Sequence, residues 1–267
     1  MEVVLPFLKW AGGKRWFVSR HLDAIPAYTG RYFEPFLGSG ALFFALKPRR
    51  AILADLNADL VATFCSIKKD WEGVAALLQR YQRGHSKHFY YRMRGSQPRS
   101  ATARAARFIY LNRTCWNGLY RVNVRGHFNV PMGTKTNVVL DADNFGQVSR
   151  VLKHASLVVS DFAPVIRQAR KGDFIFADPP YVTTHSNNGF LKYNERLFSW
   201  DDQVRLRDCL LEAKKRGAHI LVTNADSPLI RRLYEKSFSI RTVTRSSVIA
   251  ASPARRGIRP ELIIRSW

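Results

Sequence analysis

A chain of 267 residues, 46% apolar and 12% aromatic, has the length for one large α/β domain or for a catalytic domain carrying a smaller insert, and its composition excludes a disordered or collagen-like chain. Forty-three Lys and Arg against 20 Asp and Glu leave a net charge of +23, which makes a polyanion, nucleic acid first, the expected partner. No stretch approaches the roughly 18 apolar residues of a membrane span, and no signal-peptide pattern opens the chain, so a soluble, intracellular protein is expected. Cys65, Cys115 and Cys209 are far apart and form no CxxC pair, and the histidines form no HExxH grouping; neither a disulfide framework, a zinc site nor any other metal site is encoded.

In chain order, apolar runs bounded by turn residues alternate with helical patterns, the signature of a mostly parallel sheet covered by helices. Strands are expected at Arg31–Pro35, Ala51–Ala54, Leu157–Val159, Phe174–Ala177 and Ile220–Thr223. Helices are expected at Ser39–Leu46, Ala58–Lys68, Ala163–Arg170, Trp200–Arg216 and Pro228–Lys236, with a terminal hairpin in Ser239–Trp267. The middle differs. From Gly73 to Leu140 there is no Asp or Glu, while Arg80, Arg83, Lys87, Arg92, Arg94, Arg99, Arg104, Arg107, Arg113, Arg121, Arg125 and Lys135 bring twelve positive charges. A solvated helix face normally mixes signs, so a polyanion-binding insert is the stronger reading. Ala101–Tyr110 reads as helix, after which Asn117-Gly118 and Gly126 punctuate short extended pieces like a β-hairpin.

Three segments carry chemistry. In Tyr32–Gly40 a strand runs through Gly38-Ser39-Gly40 into a helix start, where glycines let a ligand approach the backbone at a strand's carboxyl end. Asp55 closes the next strand, as an acceptor for two ribose hydroxyls or as a helix N-cap; with the glycine turn it favours an adenosine-containing cofactor. Lys9–Lys14 looks like half of a phosphate loop, but Arg15 stands where the magnesium-binding hydroxyl belongs, and Trp10 is either core or an aromatic wall against a bound group. The sharpest signal is Phe174–Tyr181: an apolar strand delivers Asp178, Pro179, Pro180 and Tyr181 to its end. There a carboxylate and a carbonyl can accept both hydrogens of a planar amine while the aromatic stacks on its ring, which leaves the nitrogen lone pair able to attack an electrophilic methyl carbon.

With those elements in order, the chain resembles the DNA adenine-N6 methyltransferases of the Dam type, the D12 class or α group. The resemblance covers nearly the whole length through FLKWAGGK at Phe7–Lys14, FEPFLGSG at Phe33–Gly40, ILADLN at Ile52–Asn57, the long motif Tyr110–Gly133, FADPPY at Phe176–Tyr181, and Phe190, Tyr193 and Phe198. It implies a Rossmann-like methyltransferase core, residues 1–56 and 141–267, with an inserted helical and β-hairpin target-recognition domain, residues 57–140. It implies S-adenosylmethionine as cofactor, bound by Trp10, Lys14, Phe36, Gly38, Ser39, Gly40, Asp55, Asp161, Phe162 and Asp178, and catalysis by Asp178, Pro179, Pro180 and Tyr181 on a flipped adenine. It implies double-stranded DNA as partner, with Lys9, Trp116, Asn117, Leu119, Arg121, Asn129 and Pro131 as contacts and GATC as the site, no obligatory protein partner and no membrane, hence a cytoplasmic, nucleoid-associated enzyme. Arginine is bidentate to guanine, apolar groups read the thymine methyl, and an aromatic wedge fills the gap left by flipping. Trp116 stands where the family has a smaller aromatic, and Val182-Thr183-Thr184 lacks the proline often found after the tyrosine. An N4-cytosine or RNA amine methyltransferase would use the same physics, and a catalytically silent DNA-binding protein would need only the basic insert.

Overall fold

The computed structural model describes residues 3–123, 125–181, 198–246 and 258–267. Helices α1 (Arg15–Arg20), α2 (Ala41–Leu46), α3 (Ala58–Gly84), α4 (Lys87–Gly95), α5 (Ala101–Thr114), α6 (Phe145–Leu152), α7 (Phe162–Ile166), α8 (Trp200–Lys215) and α9 (Pro228–Tyr234) interleave with seven strands. These are β1 (Tyr32–Glu34), β2 (Ala51–Asp55), β3 (Ala155–Val159), β4 (Phe174–Ala177), β5 (His219–Ala225), β6 (Ser239–Ser246) and β7 (Ile258–Arg265). The chain gathers into two compact units. Met1–Ser19, Leu37–Arg49 and Asp55–Val159 form the first; Arg20–Phe36, Arg50–Ala54 and Ser160–Trp267 form the second. No described helix is long and apolar enough to cross a membrane.

The second unit is built on the strand order β2-β1-β4-β5-β7-β6. β1 pairs in parallel with β2 and β4, and β4 with β5, while β7 runs antiparallel between β5 and β6. The expected terminal hairpin is therefore present, and its β7 arm enters the sheet next to β5. A strand buried on both faces reads as continuous apolar sequence, and β4 (FIFA) is buried at every position. Phe33, Ile175, Ile220, Val222, Leu206, Leu210, Leu262 and Ile264 make the core. Asp173 sets the start of β1 and β4 together: its carboxylate accepts from the backbone N–H groups of Arg31 at 2.7 Å and Arg170 at 2.9 Å, and from the Arg31 guanidinium at 2.9 Å. α7 stops at Ile166 rather than continuing to Arg170: beyond it Gln168 and Ala169 N–H donate three residues back, to Val165 O at 3.2 Å and Ile166 O at 3.1 Å.

In the first unit Phe7 packs against Phe44, Phe64 and Phe145, with ring centroids 6.5, 4.9 and 6.0 Å away. Asn57, Ser86 and Ser100 cap α3, α4 and α5, each side chain accepting the backbone N–H three residues on. The expected end of the helix Ala58–Lys68 falls beside a real break within α3. Asp70 leaves helical geometry (φ −147°, ψ 58°) and its carboxylate accepts from Gly73 N–H at 3.1 Å and Thr102 Oγ1 at 2.7 Å, restarting α3 in a new direction. Asn117-Gly118 is not a hairpin turn: it belongs to a 3-10 turn, Trp116–Gly118, that ends α5, with Asn117 left-handed (φ 55°). The reversal comes later, at Asn123–His127. There His127 O accepts from Asn123 N–H at 2.8 Å and Gly126 takes φ +77°.

Of the twelve charges in the acid-free run, Arg113 is turned inward. Its guanidinium donates to both Asp143 oxygens at 2.6 Å and to the carbonyls of Val138 and Phe7 at 2.7 and 3.0 Å, with only 4% of its side chain exposed. Arg107 is also structural, donating to the carbonyls of Met93 and Arg94 at the end of α4. Removing one partner of a buried ion pair strands the other charge, so Asp143→Ala is expected to cost about 3–5 kcal/mol of unfolding free energy, read as a lowered urea midpoint. A loss under 1 kcal/mol contradicts the buried pair.

Candidate active site

Asp55, the last residue of β2 and a member of the first unit, accepts from Gly38 N–H at 3.1 Å and from Asn57 N–H at 2.9 Å. Burial raises its carboxyl pKa, and these N–H donors oppose the rise. The helix cap is Asn57, not Asp55: Asn57 Oδ1 accepts from Leu60 N–H at 3.0 Å. Asp55 instead holds the glycine turn, in which Gly38 and Gly40 take φ +47° and +66° and Gly40 N–H donates to Leu37 O at 2.8 Å. A Cβ at Gly38 would come within 2.9 Å of Trp10 Cδ1, so the turn and the indole lie against each other. Trp10 stacks on Tyr120 and Phe108 at 5.8 and 6.3 Å and is only half-buried, as an aromatic wall would be. Buried Lys14 donates to Gly12 O at 2.8 Å and Ser39 is buried in the turn itself. A close backbone turn, an acid beside it and an aromatic plane fit an adenosine-bearing cofactor.

The DNA candidates lie on one ribbon of the same unit. After α5, Trp116 N–H donates to Pro131 O at 2.9 Å, and Cys115 bridges Met132 as Val122 does Phe128. Arg121 Nε donates to Asn129 Oδ1 at 2.9 Å, and Asn129 N–H returns to Arg121 O at 3.2 Å. Trp116, Asn117, Arg121 and Pro131 are exposed, Trp116 by 50%, while Leu119 and Asn129 are partly covered. Lys9 is fastened to the ribbon's root by Asn112. That buried amide accepts from Lys9 N–H at 2.9 Å and donates to Lys9 O at 2.7 Å and to Gly118 O at 3.4 Å. Burial lowers the Lys9 pKa, with repulsion from Lys135 adding to the shift. Cys115, beneath the turn, is pushed up to about 12 by burial, a neutral thiol unsuited to nucleophilic chemistry.

In the second unit, Asp178, Pro179, Pro180 and Tyr181 continue β4 beyond its last buried residue, with no cis bond among the described residues. Asp178 Oδ1 accepts from Thr223 Oγ1 at 2.7 Å, Pro180 O accepts from Gln203 Nε2 at 3.3 Å, and Tyr181 OH donates to Glu261 Oε2 at 2.7 Å. Phe36, Phe162 and Phe198 form an aromatic cluster with centroids 5.5–5.8 Å apart. Asp161 caps α7 through Ala163 N–H at 2.8 Å, and Arg205 grips both its oxygens at 2.7 and 2.9 Å while lying 4.1 Å over the Phe162 ring. Phe190, Tyr193 and Val182-Thr183-Thr184 lie outside the described residues.

Residues 10–249 match the family model for D12 class N6 adenine-specific DNA methyltransferases. The chain belongs to that family. It is 36% identical to the type II methyltransferase M1.LlaDCHI of Lactococcus lactis subsp. cremoris, over 98% of this chain and 95% of that one. It is 34% identical to the type II methyltransferase M.MjaIII of Methanocaldococcus jannaschii, over 99% of both chains. It is 30% identical to the DNA adenine methylase of Vibrio cholerae serotype O1, over 96% and 94%. Membership in a family of adenine-specific DNA methyltransferases makes DNA the substrate and implies S-adenosylmethionine as methyl donor. Thr223, Gln203, Glu261, Arg205 and Asn112 escaped the sequence reading. The one local sign was polar side chains set in apolar strands: Thr223-Asn224 in HILVTNA and Glu261 in ELII.

The hydrogen bonds from Arg205, the largest cause, hold the Asp161 carboxyl below the usual range. The stability this pair adds is thus present above the ordinary aspartate pKa and is lost as pH falls through the depressed value. Arg205→Ala should raise the Asp161 midpoint in a carboxyl NMR titration, and the difference in melting temperature from wild type should close at low pH. An unmoved midpoint contradicts the pairing.

Proposed function

We propose that this enzyme transfers a methyl group from S-adenosylmethionine to N6 of adenine within GATC in double-stranded DNA, after turning the target base out of the helix. The observation that carries the reading is the corner Asp178–Tyr181: a carboxylate pinned by Thr223 and a tyrosine tethered by Glu261 at the end of a buried strand. An adenine inside a duplex cannot bring N6 to the end of such a strand, so the base must leave the stack. Asp178 and the Pro179 carbonyl accept the two N6 hydrogens, and Tyr181 lies against the ring. Held in that way, the N6 lone pair is drawn out of conjugation. S-adenosylmethionine, when bound, supplies an electrophilic methyl carbon on a sulfonium. The N6 lone pair held by Asp178 and Pro179 would receive that methyl group, the sulfonium would leave as a neutral thioether, and the N6 proton released would pass to solvent.

The resemblance assigns the rest. In the first unit Trp10, Lys14, Gly38, Ser39, Gly40 and Asp55 serve the cofactor; Phe36, Asp161, Phe162 and Asp178 do so in the second. The insert, residues 57–140, carries the DNA contacts other than Lys9. Arg121 reads a guanine, with its fork steadied by Asn129; Lys9 takes a second guanine; Leu119 and Pro131 face a thymine methyl; Asn117 meets base edges and Trp116 enters the stack. The exposure of Trp116 and Arg121 on one ribbon supports these roles.

Labelled methyl donor, duplexes carrying GATC or its single-base variants, and digestion to nucleosides test the reading. The expected product is N6-methyladenine in GATC alone; N4-methylcytosine, or label in RNA only, replaces it. Asp178→Ala should lower turnover about 100-fold or more while DNA binding at low salt persists. More than a third of wild-type turnover removes Asp178 from the chemistry. A 2-aminopurine at the target position should brighten on binding with a non-reactive cofactor analogue, and Trp116→Ala should weaken that signal, since stacking on an aromatic contributes about 1–3 kcal/mol per base. Quenched fluorescence in a saturated wild-type complex that still methylates adenine contradicts stable extrusion.

A further inference from the structure

We infer that Thr223 is a positioning residue for the methyl-transfer step, fixing the rotation of the Asp178 carboxylate; the inference rests on the function proposed above. β4 and β5 run in parallel with Ala177 opposite Val222, so Asp178 and Thr223 are the next residues along the two strands. Thr223 is fully buried, and its hydroxyl donates to Asp178 Oδ1 at 2.7 Å. Side chains of a strand alternate between faces, so the following residue points the other way. Asn224, also fully buried, donates through Nδ2 to Gln203 Oε1 at 3.2 Å, and Gln203 donates to Pro180 O at 3.3 Å. Two successive residues of one strand thus reach both ends of the Asp178–Pro180 turn, Thr223 directly and Asn224 through buried Gln203.

The division of labour follows from hydrogen-bond capacity. An ionised carboxylate only accepts, with about four lone-pair sites on its two oxygens. Its torsion about the last side-chain bond is broad, so without a directed donor the plane of the group is set only loosely. A donor from β5 fixes that plane, and the acceptor offered to an amine hydrogen stays in line with the Pro179 carbonyl. The threonine methyl packs in the sheet while the hydroxyl does the orienting, so the two contributions can be separated by substitution. Valine keeps the shape and removes the donor, serine keeps the donor and removes the methyl, and alanine removes both.

The test is single-turnover methyl transfer by the full-length enzyme on a duplex carrying its site, with DNA and cofactor affinities measured separately and crystal structures of the variants. Thr223→Val should slow the step about tenfold or more, with both affinities within threefold of wild type, and Thr223→Ser should recover at least half of the wild-type rate. Thr223→Ala should match the valine form and serves in its place if valine prevents folding. A valine or alanine form within twofold of wild type, or a serine form as slow as valine, overturns the inference. So does a structure of the valine or alanine form in which the Asp178 carboxylate keeps its plane, whatever the activity. A wild-type enzyme that methylates no adenine refutes the proposed function instead, and the structural comparison still decides the role of Thr223.

Discussion

A carboxylate at the end of a strand buried at every position takes its orientation from the donors that reach it. β4 presents Asp178 under that constraint, and β5 meets it with Thr223, one residue past the apolar stretch that pairs with β4. The same requirement recurs around the corner. Tyr181, the ring proposed to lie against the target base, is held through its hydroxyl by Glu261 on β7, the strand that runs antiparallel beside β5. The parallel strands create the corner and the antiparallel hairpin completes it, with Glu261 of the terminal segment holding the last residue of FADPPY.

The first unit solves a different problem, that of keeping a strongly basic chain folded. Sixty-eight successive residues without an acid cannot neutralise their own interior arginine, and the partner for Arg113 comes from Asp143, just beyond the end of that run. Arg107 is satisfied by backbone carbonyls instead. Once these side chains are committed to structure, most of the remaining charge is available to meet phosphates, a sequence-independent attraction that salt weakens steeply.

What could be read from the sequence was whatever is local. FADPPY announces itself because an apolar strand, an acid and two prolines are contiguous, and β4 begins and ends at the expected residues. The glycine turn at Gly38 and Gly40 was legible for the same reason. Asp55 was half legible: its strand end was evident, but whether it capped the helix or held the turn depended on the Gly38 amide seventeen residues away and on Asn57 taking the cap. Asn117-Gly118 misled because the pair is the commonest hairpin signal and here terminates a helix instead. Thr223, Gln203 and Glu261 stood beyond reach, since their partners lie 45, 23 and 80 residues distant and no spacing rule connects them.

Asn112 uses both its donor and its acceptor on the backbone of Lys9, and it also donates to Gly118 at the root of the ribbon. Two segments proposed to meet the duplex at different places are thereby tied to one side chain. On the proposed contacts, a lineage acquiring a new target sequence would not exchange one of them in isolation: a shift in the backbone at Lys9 would displace the ribbon, and a reshaped ribbon would displace Lys9. Substitutions at the two segments are then expected to be epistatic, with paths between target sequences running through coordinated changes around that single amide.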